Sequence, residues 1–193
     1  KINQFSWDDV EKGISICWNA GLINCKGDVV SHLAYDDLLS KNYATKMVKL
    51  FNDNPNCVTA APLPVSIDES GNINKTSNFV PLNNRSQYTD GKKLAMDFVK
   101  GSPERMISAP GEIFAVKKSL LIELGGFDRW FDILQVIKYA IHGDSGFDNQ
   151  AYLYWRHHAK QLNRQTALKG AIHCRSLRKM IKDSNVINIW KNN

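Results

Sequence analysis

Within HLAYDDLLSK, residues 32–41, two adjacent carboxylates, Asp36 and Asp37, stand where an apolar run gives way to a helical pattern. Carboxylates at such a point do one of two things. They cap the helix that starts at Leu38, or, at the carboxyl end of a strand in an α/β sheet, they hold Mg²⁺ or Mn²⁺ shared with the phosphates of a substrate. SWDDVEK carries a second pair, Asp8 and Asp9, so the pair alone does not choose. Asp148, after Gly146 and Phe147, opens a segment that reads as a helix. It is either a cap or a general base within reach of a substrate hydroxyl. His173, just before CRS, is a packed residue or a neutral imidazole ligand. His157 and His158 fall mid-segment and receive no role.

The elements that must position these groups follow from periodicity. Val10, Ile14, Cys17, Trp18 and Leu22 recur at helical spacing, predicting a helix over 8–26 with Gly27 as its stop. DVVSHLAY is β-branched and apolar and predicts a buried strand ending at the Asp pair. Leu39, Tyr43, Met47, Leu50 and Phe51 predict a helix from Leu38 to Phe51, broken by NDNPN. CVTAAPLPV is a strand whose prolines suit an edge or an exit from the sheet, and IDESGNI is a hairpin turn. Residues 74–91 lack a period and read as a loop. GKKLAMDFVKG predicts a helix, GEIFAVKKSLLIELGGFD a strand, turn and helix closed by Gly125 and Gly126, GFDNQAYLYWRHHAKQL a long helix, and TALKGAIHCRS a last strand. Strands alternating with helices define an α/β layered sheet, mixed because of the hairpin.

Composition narrows the classes. A hydrophobic share of 43% and a charged share of 23% are those of an ordinary folded domain, and 193 residues suit one domain. No apolar run reaches the ~20 residues of a membrane span. The net charge of +6 favours an anionic partner, but the basic residues are scattered, and no helix-turn-helix, zinc or RNA-binding signature accompanies them, so nucleic acid is not the expected partner. Cys17, Cys25, Cys57 and Cys174 have no C-x-x-C spacing and read as free thiols in a reducing compartment. No P-loop, G-x-G-x-x-G, H-E-x-x-H or G-x-S-x-G occurs.

Three segments, in order, resemble glycosyltransferase family 2, the inverting sugar transferases of GT-A fold. GISICWNAGLINCKGDVVSHLAYDDLL, 13–39, is similar to the family's helix with an Asn-Ala-Gly element leading through Gly-Asp into a strand that ends in an acidic metal motif. Residues 111–128 resemble its strand, basic turn, helix and closing Gly-Gly-Phe-Asp, and 145–163 its acidic helix start and Arg-containing helix. The resemblance implies a GT-A-like, mostly parallel sheet flanked by helices, as a single domain over 1–193. It implies a nucleotide-sugar donor, a glycan, lipid-linked or polysaccharide acceptor, and Mn²⁺ or Mg²⁺ held by Asp36, with Asp37 beside it and His173 as a late ligand. Asp148 is the implied base. Such an enzyme works in the cytoplasm, with room for peripheral association at a membrane surface.

The sequence departs from that pattern at three points. The common L-D-x-D-D reads Leu33-Ala34-Tyr35-Asp36-Asp37, the acidic pair at the base position is Phe147-Asp148, and 35 residues precede Asp36 where the family has a longer nucleotide-binding section. The expectation is therefore an acceptor-side portion of a transferase or a reduced relative. The alternative is a non-catalytic interaction or scaffold module derived from the same fold.

Overall fold

The computed structural model describes residues 7–74, 87–100, 115–127 and 133–159. Helix α1, Trp7–Asn24, is followed by the short strand β1, Val29–Ser31, the two-residue strand β2, Leu38–Leu39, and helix α2, Tyr43–Asp53. A long strand β3, Cys57–Ile67, leads to β4, Tyr88–Thr89, and helix α3, Gly91–Lys100. Strand β5, Ala115–Lys117, runs directly into α4, Lys118–Glu123. Helix α5, Ile133–Ala140, precedes the longest strand, β6, Asp144–Arg156.

The sheet order is β1-β5-β3-β6-β2, with β4 also paired to β6. Among the described strands only β3 and β6 run parallel; β1–β5, β3–β5, β2–β6 and β4–β6 are antiparallel. The mixed sheet is thus as expected, but the mostly parallel one is not. Sequence signals for parallel pairing come from strand–helix–strand alternation, and here short strands return on themselves instead.

Neighbouring residues of one strand serve opposite faces. Val29 and Ala115 pack with α2 residues Tyr43, Met47, Leu50 and Phe51, together with Cys57, Ala60, Ala151 and Leu153. Val30 and Val116, one residue further along, pack on the other face with Leu22 of α1, Leu120 and Leu121 of α4, Phe127 and Tyr139. This alternation is the period of two of a pleated strand covered on both sides. Helix α2 buries Tyr43, Met47, Leu50 and Phe51, and it stops before Pro55 because the residue before a proline is pushed out of the helical region.

Three expectations need correction. Leu38 begins a strand, not a helix; α2 starts five residues later, behind Asn42, so Asp37 caps nothing. The expected long helix over 146–162 is strand β6 as far as Arg156. Its residues alternate, with Ala151 and Leu153 buried and Tyr152 and Tyr154 half-exposed, and aromatic enrichment of this kind favours a pleated surface. Strand β3 is central, not an edge. Its prolines fit because β5 pairs only with Thr59 and Ala60, so Pro62 and Pro64 lie where one flank of β3 has no ladder to break.

The strand expected over DVVSHLAY covers only Val29–Ser31 and ends before the Asp pair, and the loop expected over 74–91 contains β4. Several other expectations agree with the structure. Helix α1, the strand over CVTAAPLPV, the helix over 91–100 and the strand–helix pair closed by Gly125 and Gly126 are present, both glycines at positive φ. The turn at IDESGNI closes through Asp68 N–H to Asn72 C=O, 2.9 Å, and Gly71 N–H to Asp68 C=O, 3.0 Å. Helix α5 had no counterpart in the periodicity. Asp8 and Asp9 fall in the first turn of α1. Cys57 is buried, Cys25 half-buried and Cys17 exposed, all free. The expected strand over 166–176, with His173 and Cys174, lies outside the described residues. No described helix is long and apolar enough to cross a membrane.

Two of the three segments that carried the resemblance are joined by one side chain. Asn19 of α1 accepts the Phe127 N–H at 2.7 Å through Oδ1 and donates to the Phe127 C=O at 2.8 Å through Nδ2. A Cβ on Gly126 would stand 2.3 Å from Asn19 Oδ1. The Asn-Ala-Gly element and the Gly-Gly-Phe element therefore form a single two-point clamp that fixes α1 over the end of α4.

Candidate functional site at the end of strand β6

The carboxyl ends of β3 and β6 and the turn before β2 meet in a charged cluster. Extending the β2–β6 register, in which Leu38 faces Tyr154, sets Asp36 opposite Arg156. The side chains agree: Arg156 Nε donates to the Asp36 C=O at 2.9 Å, and the Arg156 N–H donates to Asp37 Oδ1 at 2.9 Å. The same guanidinium reaches across to β3's end, where Nη1 donates to the carbonyls of Glu69, 2.8 Å, and Asp68, 3.2 Å. One residue past the strand, His157 N–H donates to the Ile67 C=O at 2.8 Å. Arg156 thus ties three chain segments together.

His158 completes the cluster. Its Nε2 lies 2.8 Å from Asp36 Oδ2, with the two side chains 15% and 19% exposed, so the pair is sheltered yet reachable. Asp37 differs from its neighbour. It is 5% exposed, and burial pushes its carboxyl up to about 6, opposed by the Arg156 N–H and reinforced by the Asp36 charge. Of the pair, Asp37 is the inner, structural carboxylate and Asp36 the outer one.

Do these residues suit a divalent cation? Asp36 and His158 offer an oxygen and a nitrogen 2.8 Å apart, close to the separation of adjacent ligands on an ion bound at ~2.1 Å. Among the described residues no group of three or more His, Cys, Asp or Glu converges as a complete metal cage. One carboxylate oxygen and one imidazole nitrogen suit Mn²⁺, which would take its remaining ligands from waters and substrate phosphates, better than Mg²⁺, which takes oxygen ligands. The donor set fits an ion of that kind. Asp36 lies in this cluster, with Asp37 turned inward onto the Arg156 N–H; His173 lies outside the described residues.

Asp148 is placed elsewhere. Strand β6 advances four residues, Asp148 to Tyr152, where β3 advances one, Pro62 to Leu63, and the extra residues form a bulge. Asp148 Oδ1 accepts the N–H groups of Gln150, 2.7 Å, and Ala151, 3.2 Å, while Lys46 Nζ sits 3.6 Å from Oδ2. Asn42 and Lys46 of the α2 start hold Gln150 as well, at 2.9 and 2.6 Å. The β3 partners of Asp148 and Arg156 are Pro62 and Ile67, which puts Asp148 roughly 16 Å along the sheet from the Asp36 row.

His158 and Arg156 were missed by the sequence reading. Both were placed in a helix, where neither could face Asp36; a period-two reading of YLYWRHH would have put Arg156 on the face of Tyr152 and Tyr154. Comparison with known protein families gives no match, and comparison with curated proteins gives none either.

Proposed function

We propose that the chain is a nucleotide-sugar-dependent glycosyltransferase built on a GT-A-like sheet, with the Asp36–His158 pair as the place where the donor diphosphate and its cation are held. The observation that supports it is the pairing of a sheltered carboxylate and imidazole 2.8 Å apart at a strand end, beside a fixed guanidinium. The ordered likeness of residues 13–39 and 111–128 to family 2 transferases points the same way. A bound Mn²⁺ or Mg²⁺ would neutralise charge on the departing nucleoside diphosphate. Asp36 and His158 would hold the ion, Asp37 would fix the backbone of β6 behind them, and Arg156 would keep the turn before β2 in register. The acceptor is a glycan, a lipid-linked sugar or a polysaccharide hydroxyl.

Titration calorimetry with Mn²⁺ and UDP- or GDP-sugars tests this. Saturable, cation-dependent binding that falls at least ten-fold in Asp36→Asn and His158→Gln is expected. The absence of both binding heat and donor hydrolysis in the wild-type chain with Mn²⁺ present overturns the reading.

A further inference from the structure

The chain has six tyrosines, and their hydroxyls divide into two groups. Tyr43 is bonded to Ser31 Oγ at 2.5 Å, Tyr88 donates to the Leu50 C=O at 3.0 Å, and Tyr139 accepts from Gln135 Nε2 at 2.6 Å. Tyr35, Tyr152 and Tyr154 have no such partner among the described residues, and all three lie close to the Asp36 row in sequence or on the sheet. Tyr35 is 95% exposed one residue before Asp36. Tyr152 and Tyr154 are half-exposed, with ring centroids 6.0 Å apart and planes tilted by 33°.

Strand pairing arranges these residues in rows. Tyr152 lies beside Leu63, and Tyr154 lies between Val65 and Leu38. The next row is Ile67, Arg156 and Asp36. Leu63 and Val65 are half-exposed and Leu38 is 50% exposed, whereas the other end of this sheet face is closed by α1, α4 and Tyr139. The strip from Tyr152 to Arg156 is roughly 13 Å long. It is apolar and aromatic for two rows and charged in the third.

We propose that this strip binds the acceptor as a segment of glycan chain laid along β6, with its reacting end at the Asp36–Arg156 row. This rests on the transferase reading of that row. The chemistry of the strip selects the occupant. A sugar ring offers an apolar C–H face edged by hydroxyls, and the strip offers half-exposed aromatic and aliphatic surface edged by uncommitted phenol hydroxyls. A purely apolar partner would leave those hydroxyls without partners, and the two aromatic rows, Tyr152 with Leu63 and Tyr154 with Val65 and Leu38, offer a polyanion no cationic side chain. The length of the strip suits a short oligosaccharide better than a single ring.

The test is binding of neutral hexasaccharides of gluco, manno and N-acetylglucosamine type to the full chain, by calorimetry and NMR chemical-shift perturbation, without donor or cation. At least one should bind saturably. Tyr152→Ala/Tyr154→Ala should weaken it ten-fold or more, and Tyr154→Phe, which keeps the ring and removes one hydroxyl, a few-fold. No binding by any of the three, or wild-type affinity in the double variant and in Tyr154→Phe, overturns the proposal. Loss of binding to anionic phospholipid vesicles, or of self-association, in the double variant without a glycan effect assigns the strip to a membrane or a second copy and overturns it too. Glycan binding without donor binding sinks the transferase reading but leaves the strip; donor binding without glycan binding does the reverse.

Discussion

The two ends of the β3–β6 pair are built from similar residue types and treat them differently. At the end where the strands begin, several polar groups are paired and backbones approach closely, while the buried His32 Nε2 and Ser145 Oγ have no partner among the described residues. Asn19 clamps Phe127, the hydroxyls of Tyr88 and Tyr139 are bonded, and Gly143 stands where a Cβ would come within 2.4 Å of the Asn56 carbonyl. At the other end Tyr152 and Tyr154 keep their hydroxyls uncommitted, and Asp36 and His158 are sheltered but reachable. Residue type does not separate scaffold from site here. What separates them is exposure: the first end is closed by α1, α4 and Tyr139, while the tyrosine rings and the Asp36–His158 pair keep partial access to solvent.

The sharpest break between the ends is in their tolerance of added atoms. A Cβ on Gly91 would lie 1.9 Å from the carbonyl oxygens of both Ala140 and Gly143, and backbone cannot step aside as a side chain can. Gly91→Ala should lower stability by about 3 kcal/mol or more, read by chemical denaturation. At the open end, Gly71 in the turn after β3 has positive φ, and its nearest neighbour to a new Cβ is at 4.0 Å. Gly71→Ala should cost only about 1 kcal/mol, from backbone strain alone. Equal losses would erase the distinction.

Next in size is the clamp. Asn19→Ala removes two hydrogen bonds and leaves the N–H and C=O of Phe127 unmatched beside a buried side chain, a loss of about 2 kcal/mol. Asn19→Asp keeps the acceptor and loses the donor, so it should fall between the two. If Asn19→Ala unfolds at the wild-type denaturant midpoint, the segment 13–39 and the segment 111–128 are not energetically joined.

The ends also respond oppositely to pH. His32, stacked on Trp18 at 4.0 Å and edged by Phe127, has a buried Nε2 with no partner, and burial pushes it down to about 3. Its unfolded value is 6.5, so the folded state resists the proton. Stability is full above pH 6.5 and falls below it, by about 2 kcal/mol at pH 5. Asp37 runs the other way. Its carboxyl is raised to about 6 from 3.8, so its burial penalty is largest at neutral pH and shrinks as pH drops toward 4, by about 1 kcal/mol between pH 7 and 5. From these two groups the wild-type protein should lose a net of about 1 kcal/mol between pH 7 and 5. With a chelator present, His32→Leu should gain stability relative to wild type on going from pH 7 to 5, and Asp37→Asn should lose it. Parallel curves for all three proteins would remove both assignments.

Much of the covered end was legible in the sequence. The spacing of Trp18 and Leu22, the apolar positions of α2, and the Gly125–Gly126 stop each signal structure through local periodicity or backbone freedom. The open end was legible only in part. Asp36 and Asp37 were found because two acids after an apolar run are conspicuous, yet their division into outer and inner groups depends on Arg156, 120 residues away, which no local pattern encodes. Strand β6 was misread because Phe147, Ala151, Tyr154 and Trp155 also satisfy a helical spacing; the bulge after Asp148 breaks the alternation that would have marked the strand from its start. Helix α5 is only eight residues long, Ile133–Ala140, too short for a helical period to stand out.

The smallest effect falls on Asp148, and it bears most directly on where the open end begins. Its likeness to the acidic helix start of family 2 transferases gives it the base role, and then Asp148→Asn abolishes transfer with donor binding intact. The geometry gives it a different task. Oδ1 is committed to two backbone N–H groups of the bulge and Oδ2 faces Lys46, all of which Asn satisfies in part, on the far side of the Tyr152 row from Asp36. The expected result is a stability loss of about 1 kcal/mol with donor binding, hexasaccharide binding and turnover all within about two-fold of wild type. Abolished turnover in a folded Asp148→Asn protein would mean that the reacting hydroxyl sits at the bulge. The acceptor would then approach from the Asp148 end, and the tyrosines would lie between donor phosphate and base instead of beyond them.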